Sequence, residues 1–145
     1  MPWDVDDPLR ADAEFVGRLE DLGPALARVR DEVLVPAIES NFATESAAGN
    51  LWRPLAPATI ADRLRKGFDE GPILRRTGDL ASAATGHREV GSDYVEVGLA
   101  DGHPYGKYHA SSAPRSRIPL RDFLAVPEEA VEKCGEILSD HVEGR

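Results

Sequence analysis

The sequence holds a single cysteine, Cys134, in 145 residues. One thiol closes no internal disulfide and builds no thiolate zinc cage. A reducing cytoplasm is therefore the expected place of synthesis. Long apolar runs are also missing: no stretch approaches the roughly 20 residues that a membrane helix needs. Met1 to Asp7 shows neither the basic nor the apolar region of a secretory signal, so no signal peptide is expected. There is no phosphate-binding glycine loop, no dinucleotide fingerprint, no HExxH and no GxSxG. Internal repeats and low-complexity tracts are absent as well. Positive charge is scarce, with 17 Lys and Arg against 26 Asp and Glu and a net charge of −9. Binding to duplex DNA without sequence preference needs the opposite balance, because the phosphates must be neutralised.

What is present suits one domain over residues 1–145. The hydrophobic share of 41% and the charged share of 30% are those of a globular chain long enough to bury a core. The charge is unevenly spread. Residues 1–45 carry 11 acids against 4 bases, residues 46–125 carry 9 against 11, and residues 126–145 carry 6 against 2. Acidic ends thus flank a mildly basic middle. This split has two readings: ordinary solvated helix faces, or unlike surfaces that meet between neighbouring copies.

Three regions follow from pattern. The first, about 8–47, is helical. Asp7-Pro8 reads as a cap followed by a first-turn proline, with Gly23 as the stop of a first helix. Phe15, Leu19, Leu22, Leu26, Val29 and Val33 recur at steps of three and four, the apolar stripe of an amphipathic helix. Ile38 and Phe42 continue it, and Pro36 predicts a kink or a break at Val35. Thr44 to Leu51 reads as a loop.

The second region, about 52–125, mixes helix and strand. Trp52 to Pro57 is extended and stiffened by proline. Ala58 to Lys66 predicts a short helix whose Arg63, Arg65 and Lys66 suit its C-terminal dipole. Another helical stretch runs from Thr77 to Gly86. The pattern then turns β-rich, with Tyr94 to Leu99 as one strand and His87 to Val90 as its partner. Tyr105 to Ala110 fits one helical turn, and Ile118 to Leu124 is extended. The third region is a helix at about 127–143, with Val131, Cys134, Ile137, Leu138 and Val142 as its buried face. Cys134 reads as a small core hydrophobe.

No catalytic, cofactor or metal site is expected. The nearest metal arrangement, Asp101, His103 and His109, fits no ligand template. A small hydrolase pairing His109 with Ser111 or Ser112 is the alternative among enzymes, but no strained serine elbow or oxyanion hole is visible. The candidate partner-binding residues are the basic clusters Arg75-Arg76 and Arg115-Ser116-Arg117, with Arg121 beside them. They read either as docking groups for an acidic surface or as solubilising charge. Trp52 is core or interface. Phe123 and Leu124 should anchor the core while Arg121 stays exposed or touches another chain.

Four segments then stand in one order. They are Trp52-Arg53-Pro54-Leu55-Ala56-Pro57-Ala58-Thr59-Ile60, Ile73-Leu74-Arg75-Arg76-Thr77-Gly78-Asp79-Leu80, Tyr105-Gly106-Lys107-Tyr108-His109, and Ile118-Pro119-Leu120-Arg121-Asp122-Phe123-Leu124. This order resembles the phage virion morphogenesis family, the tail-completion proteins of Mu-like and related tailed phages. Ala56 stands where that family often has serine, Gly106 where it often has alanine, and Ala110-Ser111-Ser112 where it has glutamine, phenylalanine and glycine.

The resemblance implies a structural protein of the phage neck, made in the host cytoplasm and carried in the virion. It would complete the tail or join tail to head. It implies a homo-oligomeric ring, often sixfold, touching tail-tube, portal or connector proteins, with no cofactor, no membrane and no sequence-specific nucleic acid. A head-to-tail ring uses two different surfaces of each subunit. The expected fold is α+β: amphipathic helices on a small, mostly antiparallel sheet, with extended loops for ring assembly. An acidic regulatory binding protein remains the alternative among binding modules.

Overall fold

The computed structural model describes residues 8–75, 77–101, 106–110 and 119–145, with the side chains of 8–12, 107 and 108 left aside. The chain runs α1 (Pro8–Glu20), α2 (Gly23–Val29), a π-helical stretch (Arg30–Leu34), α3 (Val35–Thr44), β1 (Ser46–Ala47), β2 (Asn50–Leu51), α4 (Pro57–Arg65), α5 (Asp79–Ala83), β3 (His87–Val90), β4 (Val95–Gly98), α6 (Lys107–Ala110) and α7 (Glu128–Glu143). The α+β class holds. In place of one small sheet, the described residues form two antiparallel two-stranded sheets, β1–β2 and β3–β4.

Gly23 opens α2 instead of ending α1, and the Asp21 carboxylate accepts its N–H at 3.0 Å. Pro36 does not break the helical run. It follows closely on the π-helical turn, inside a run that stays helical on both sides. The preceding turn widens to meet it, with the Val35 N–H reaching back five residues to the Arg30 carbonyl. The region from Thr44 to Leu51, expected as a loop, holds the short β1–β2 hairpin. Ala48 and Gly49 both take positive φ, 51° and 95°, as a tight hairpin turn of this hand demands.

Two apolar clusters make up the core. The first joins Ile38, Phe42, Trp52, Ile73, Ala84 and Phe123. The second joins Ala25, Val29 and Val33 to Ile137 of α7. Val95 packs on the second cluster and Val97 on the first. These two residues lie on one face of β4, so the β3–β4 hairpin spans both clusters. Phe123 is fully buried as expected, whereas Leu124 is only partly buried against the first cluster. On α7, Ile137 is buried and Cys134 and Leu138 pack against the second cluster, but Val131 is exposed. Burial raises the Cys134 thiol pKa, as its role of small hydrophobe requires. The apolar stripe of the first region divides at residue 22: Leu26, Val29 and Val33 are buried, while Phe15, Val16 and Leu19 of α1 are exposed. Helix α1 docks on α7 through polar ties, Arg18 Nε to the Val142 carbonyl at 2.8 Å and His141 Nε2 near the Asp21 carbonyl at 2.8 Å. No helix among the described residues is long and apolar enough to cross a membrane.

Candidate assembly interface

The four ordered segments are distant in sequence, yet their described parts meet around the first core cluster. Trp52 is buried, so it takes the core place of its two expected ones. Its ring meets Phe42 edge-on at 5.6 Å, and Phe42 lies tilted against Phe123 at 5.4 Å. The indole Nε1 donates to the Asp122 carbonyl at 3.4 Å. In the second segment Gly78 takes φ 85°, a left-handed turn that suits glycine, and opens α5. Leu80 then packs on the cluster, together with Ile73 and Leu74.

Polar clamps hold these segments where no regular ladder does. Asn41 is buried, and its carboxamide donates to the Phe123 carbonyl at 3.0 Å and the Ala125 carbonyl at 2.8 Å. Its oxygen accepts from the Ala48 N–H at 3.0 Å. Glu45 caps α3 in a left-handed conformation, φ 52°. Its carbonyl accepts from the Trp52 N–H at 2.8 Å and its carboxylate from the Ile73 N–H at 2.7 Å. Buried Arg63 donates to the Pro72 carbonyl at 2.8 Å, so it fastens a loop instead of facing solvent at a helix end.

Arg121 corrects the sequence reading most sharply. The expectation is an arginine that is exposed or touches another chain, whereas Arg121 is buried within its own chain, 6% accessible. Nε donates to the Arg53 carbonyl at 3.0 Å and Nη2 to the Pro54 carbonyl at 3.1 Å, while its own N–H donates to the His109 carbonyl at 2.9 Å. The extended Trp52–Pro57 stretch leaves its carbonyls without strand partners, and buried carbonyls must be satisfied. The guanidinium fork supplies two donors at once. Burial lowers the Arg121 pKa, and the charges of Arg53 and Arg63 push the same way.

Of the other candidate residues, Arg75 is exposed. Arg76, Arg115 and Arg117 lie outside the described residues, as do His103, Ser111 and Ser112. The residues that sequence reasoning missed are Asn41, Glu45 and Arg63. Asn41 had one signal: a polar side chain between Ile38 and Phe42 on an apolar stripe.

A groove of about 570 Å³ lies between α3 and the start of α7, walled by Val33, Pro36, Ala37, Leu51 and Ala130 with Glu32, Glu129 and Lys133 at its polar edge. Neither histidine nor cysteine is among its lining residues, whose hydroxyls are those of Ser40, Thr44 and Ser46. On the β3–β4 hairpin His87, Glu89 and Glu96 bring possible ligand atoms within 4.8 Å of one another. His87 Nε2 lies 3.1 Å from Glu96, and the Tyr94 hydroxyl donates to Glu89 at 2.8 Å. Hydrogen bonding to Glu96 raises the His87 pKa, as an ion pair between exposed groups does. Glu89 stands directly opposite Glu96 across the strands, so protonated His87 also offsets a like-charge pair.

In comparisons with known proteins, the model of the phage virion morphogenesis family matches residues 13–143. No curated protein matches, and no solved structure matches.

Proposed function

The chain belongs to the phage virion morphogenesis family, which makes it a structural protein associated with building a phage particle, and from that premise we propose that it acts at the neck. In this reading it completes the tail or joins tail to head as one subunit of a homo-oligomeric ring. The observation that carries the reading is the family match over residues 13–143, nearly the whole chain. The interlocked first core cluster supports it, since the motif segments serve to hold a rigid subunit. A subunit that transmits load between two bodies needs such a frame. Exposed Arg75, with Arg76, Arg115 and Arg117, would reach the neighbouring subunit or the next ring. Trp52 and Arg121 would act from within, by fixing the segments that carry these contacts.

The test is genetic and direct. A phage lacking this gene is complemented or not with the wild-type chain, and lysates are examined by electron microscopy. The reading requires free heads and unjoined or aberrant tails without the protein, and intact particles with it. Normal particles without the protein would overturn the neck assignment. Negative-stain images of the purified protein should show closed rings.

A further inference from the structure

The outward face of the β3–β4 hairpin gathers one imidazole and two carboxylates. Val95 and Val97 pack on the two core clusters, so Glu96 between them faces away. Glu89 is paired directly with Glu96 across the strands, and His87 shares the face of Glu89 on β3. The register thus collects three side chains of the metal-ligating kinds, with donor atoms all within 4.8 Å of one another. His87 and Glu96 are nine residues apart in sequence, and the pairing of the strands makes them neighbours.

The distances fit a shared ion. Ligands about 2.1 Å from one tetrahedral or octahedral metal lie roughly 3.0–3.4 Å from each other. His87 Nε2 and the Glu96 oxygen are 3.1 Å apart. Glu89 is exposed, and turning about its side-chain bonds closes the remaining gap. The Tyr94 ring lies so close over Gly91 that no Cβ would fit there, and its hydroxyl donates to Oε1 of Glu89 at 2.8 Å. A hydrogen bond of this kind orients a ligating carboxylate and leaves its other oxygen for the ion.

The surroundings favour a cation. Carboxylates directly opposite each other across two strands repel. No Lys or Arg among the described residues forms an ion pair with Glu89 or Glu96. Arg88, between His87 and Glu89, belongs to the other face and donates to the Thr85 carbonyl at 2.7 Å. Asp101 adds a further negative charge near enough for the His87 ring to feel it. One protonated histidine offsets only part of this charge. Imidazole together with carboxylates is a donor set for Zn²⁺ and its first-row neighbours, whereas Mg²⁺ and Ca²⁺ take oxygen ligands.

We propose that His87, Glu89 and Glu96 form a Zn²⁺ site that braces the β3–β4 hairpin. Three protein donors leave a fourth place for water. The ion neutralises the facing carboxylates, and binding releases any proton held by His87. The hairpin spans both core clusters, so bracing it steadies the joint between them. The site stands independently of the assembly reading above.

The experiment is calorimetric titration of Zn²⁺ into the full-length chain freed of metal by a chelator, with circular dichroism as the fold control. The wild type should show saturable uptake, and its thermal midpoint should rise with Zn²⁺. His87→Ala and Glu96→Gln should each lose at least about tenfold in affinity and most of the thermal shift. Both side chains face outward, and Glu96→Gln is nearly isosteric, so the fold should survive. Should His87→Ala fail to fold, Glu96→Gln and Glu89→Gln carry the test. Mg²⁺ at the same concentration should not displace Zn²⁺. A wild type without saturable uptake would overturn the site. Uptake undiminished in the folded variants would overturn it too, and would place the ion elsewhere, at residues such as His103 or His109.

Discussion

Asn41 and Phe123 are 82 residues apart, and the Asn41 carboxamide donates to the Phe123 carbonyl at 3.0 Å inside the core. The same NH₂ group reaches the Ala125 carbonyl, so one side chain fixes the path of the last extended segment over α3. Asn41→Leu would fill the space and orphan two carbonyls and the Ala48 N–H. The expected cost is roughly 2–4 kcal/mol, from buried groups left without partners. Urea denaturation should show a lower midpoint with an unchanged slope. A change below about 0.5 kcal/mol would mean that water or a shifted backbone replaces these bonds.

Phe123 is fully buried between Phe42 and the rest of the first cluster. Phe123→Ala should cost about 3–5 kcal/mol, the loss of transfer energy plus an unfilled cavity. Chemical denaturation measures it, and a loss under about 1 kcal/mol would remove Phe123 as the anchor.

Arg121 separates shape from charge. Arg121→Lys keeps the charge but cannot present a planar fork to the Arg53 and Pro54 carbonyls. It should destabilise by about 1–3 kcal/mol, and Arg121→Met by a comparable amount. If lysine restored full stability, the charge and not the fork would be what matters.

His87 gives a pH dependence whose sign is fixed by its raised pKa. The protonated His87–Glu96 pair adds stability below the unfolded value of about 6.5 and loses it as pH rises through the folded value. Imidazole resonances followed by NMR should titrate above the ordinary histidine range in the wild type. Glu96→Gln should bring the midpoint down. An unchanged midpoint would show that Glu96 does not hold the proton.

The basic segment near residue 115 is tested through assembly. The double variant Arg115→Glu, Arg117→Glu should keep the helical circular dichroism of the wild type and fail to join tails to heads. Counting free heads and free tails in lysates checks it. A normal yield of particles would take this segment out of the contact.

Local signals in the sequence determined much of the chain's course. The three-and-four spacing of Leu26, Val29 and Val33 is a property of neighbouring residues, and it gave a buried helix face. The glycine at 78 needed only its own freedom at positive φ to turn the chain and send Leu80 inward. The order of the four segments, read without any contact information, was enough for the family. What a periodic stripe cannot specify is whether a partner covers it. Phe15 and Leu19 share the spacing of Leu26 and Val29, yet they stay exposed because α1 meets α7 through main-chain carbonyls and polar side chains.

The tertiary structure alone decided where the charges went. Nothing adjacent to Arg121 or Arg63 says that either is buried; each is drawn in by carbonyls that an irregular, proline-containing segment leaves unpaired. Asn41 is the same case on a helix, a polar residue whose three partners come from residues 48, 123 and 125. Hydrophobic period is a local quantity that any short window carries. The satisfaction of a buried hydrogen bond is set by segments 70 or 80 residues away, and only the folded chain brings them together.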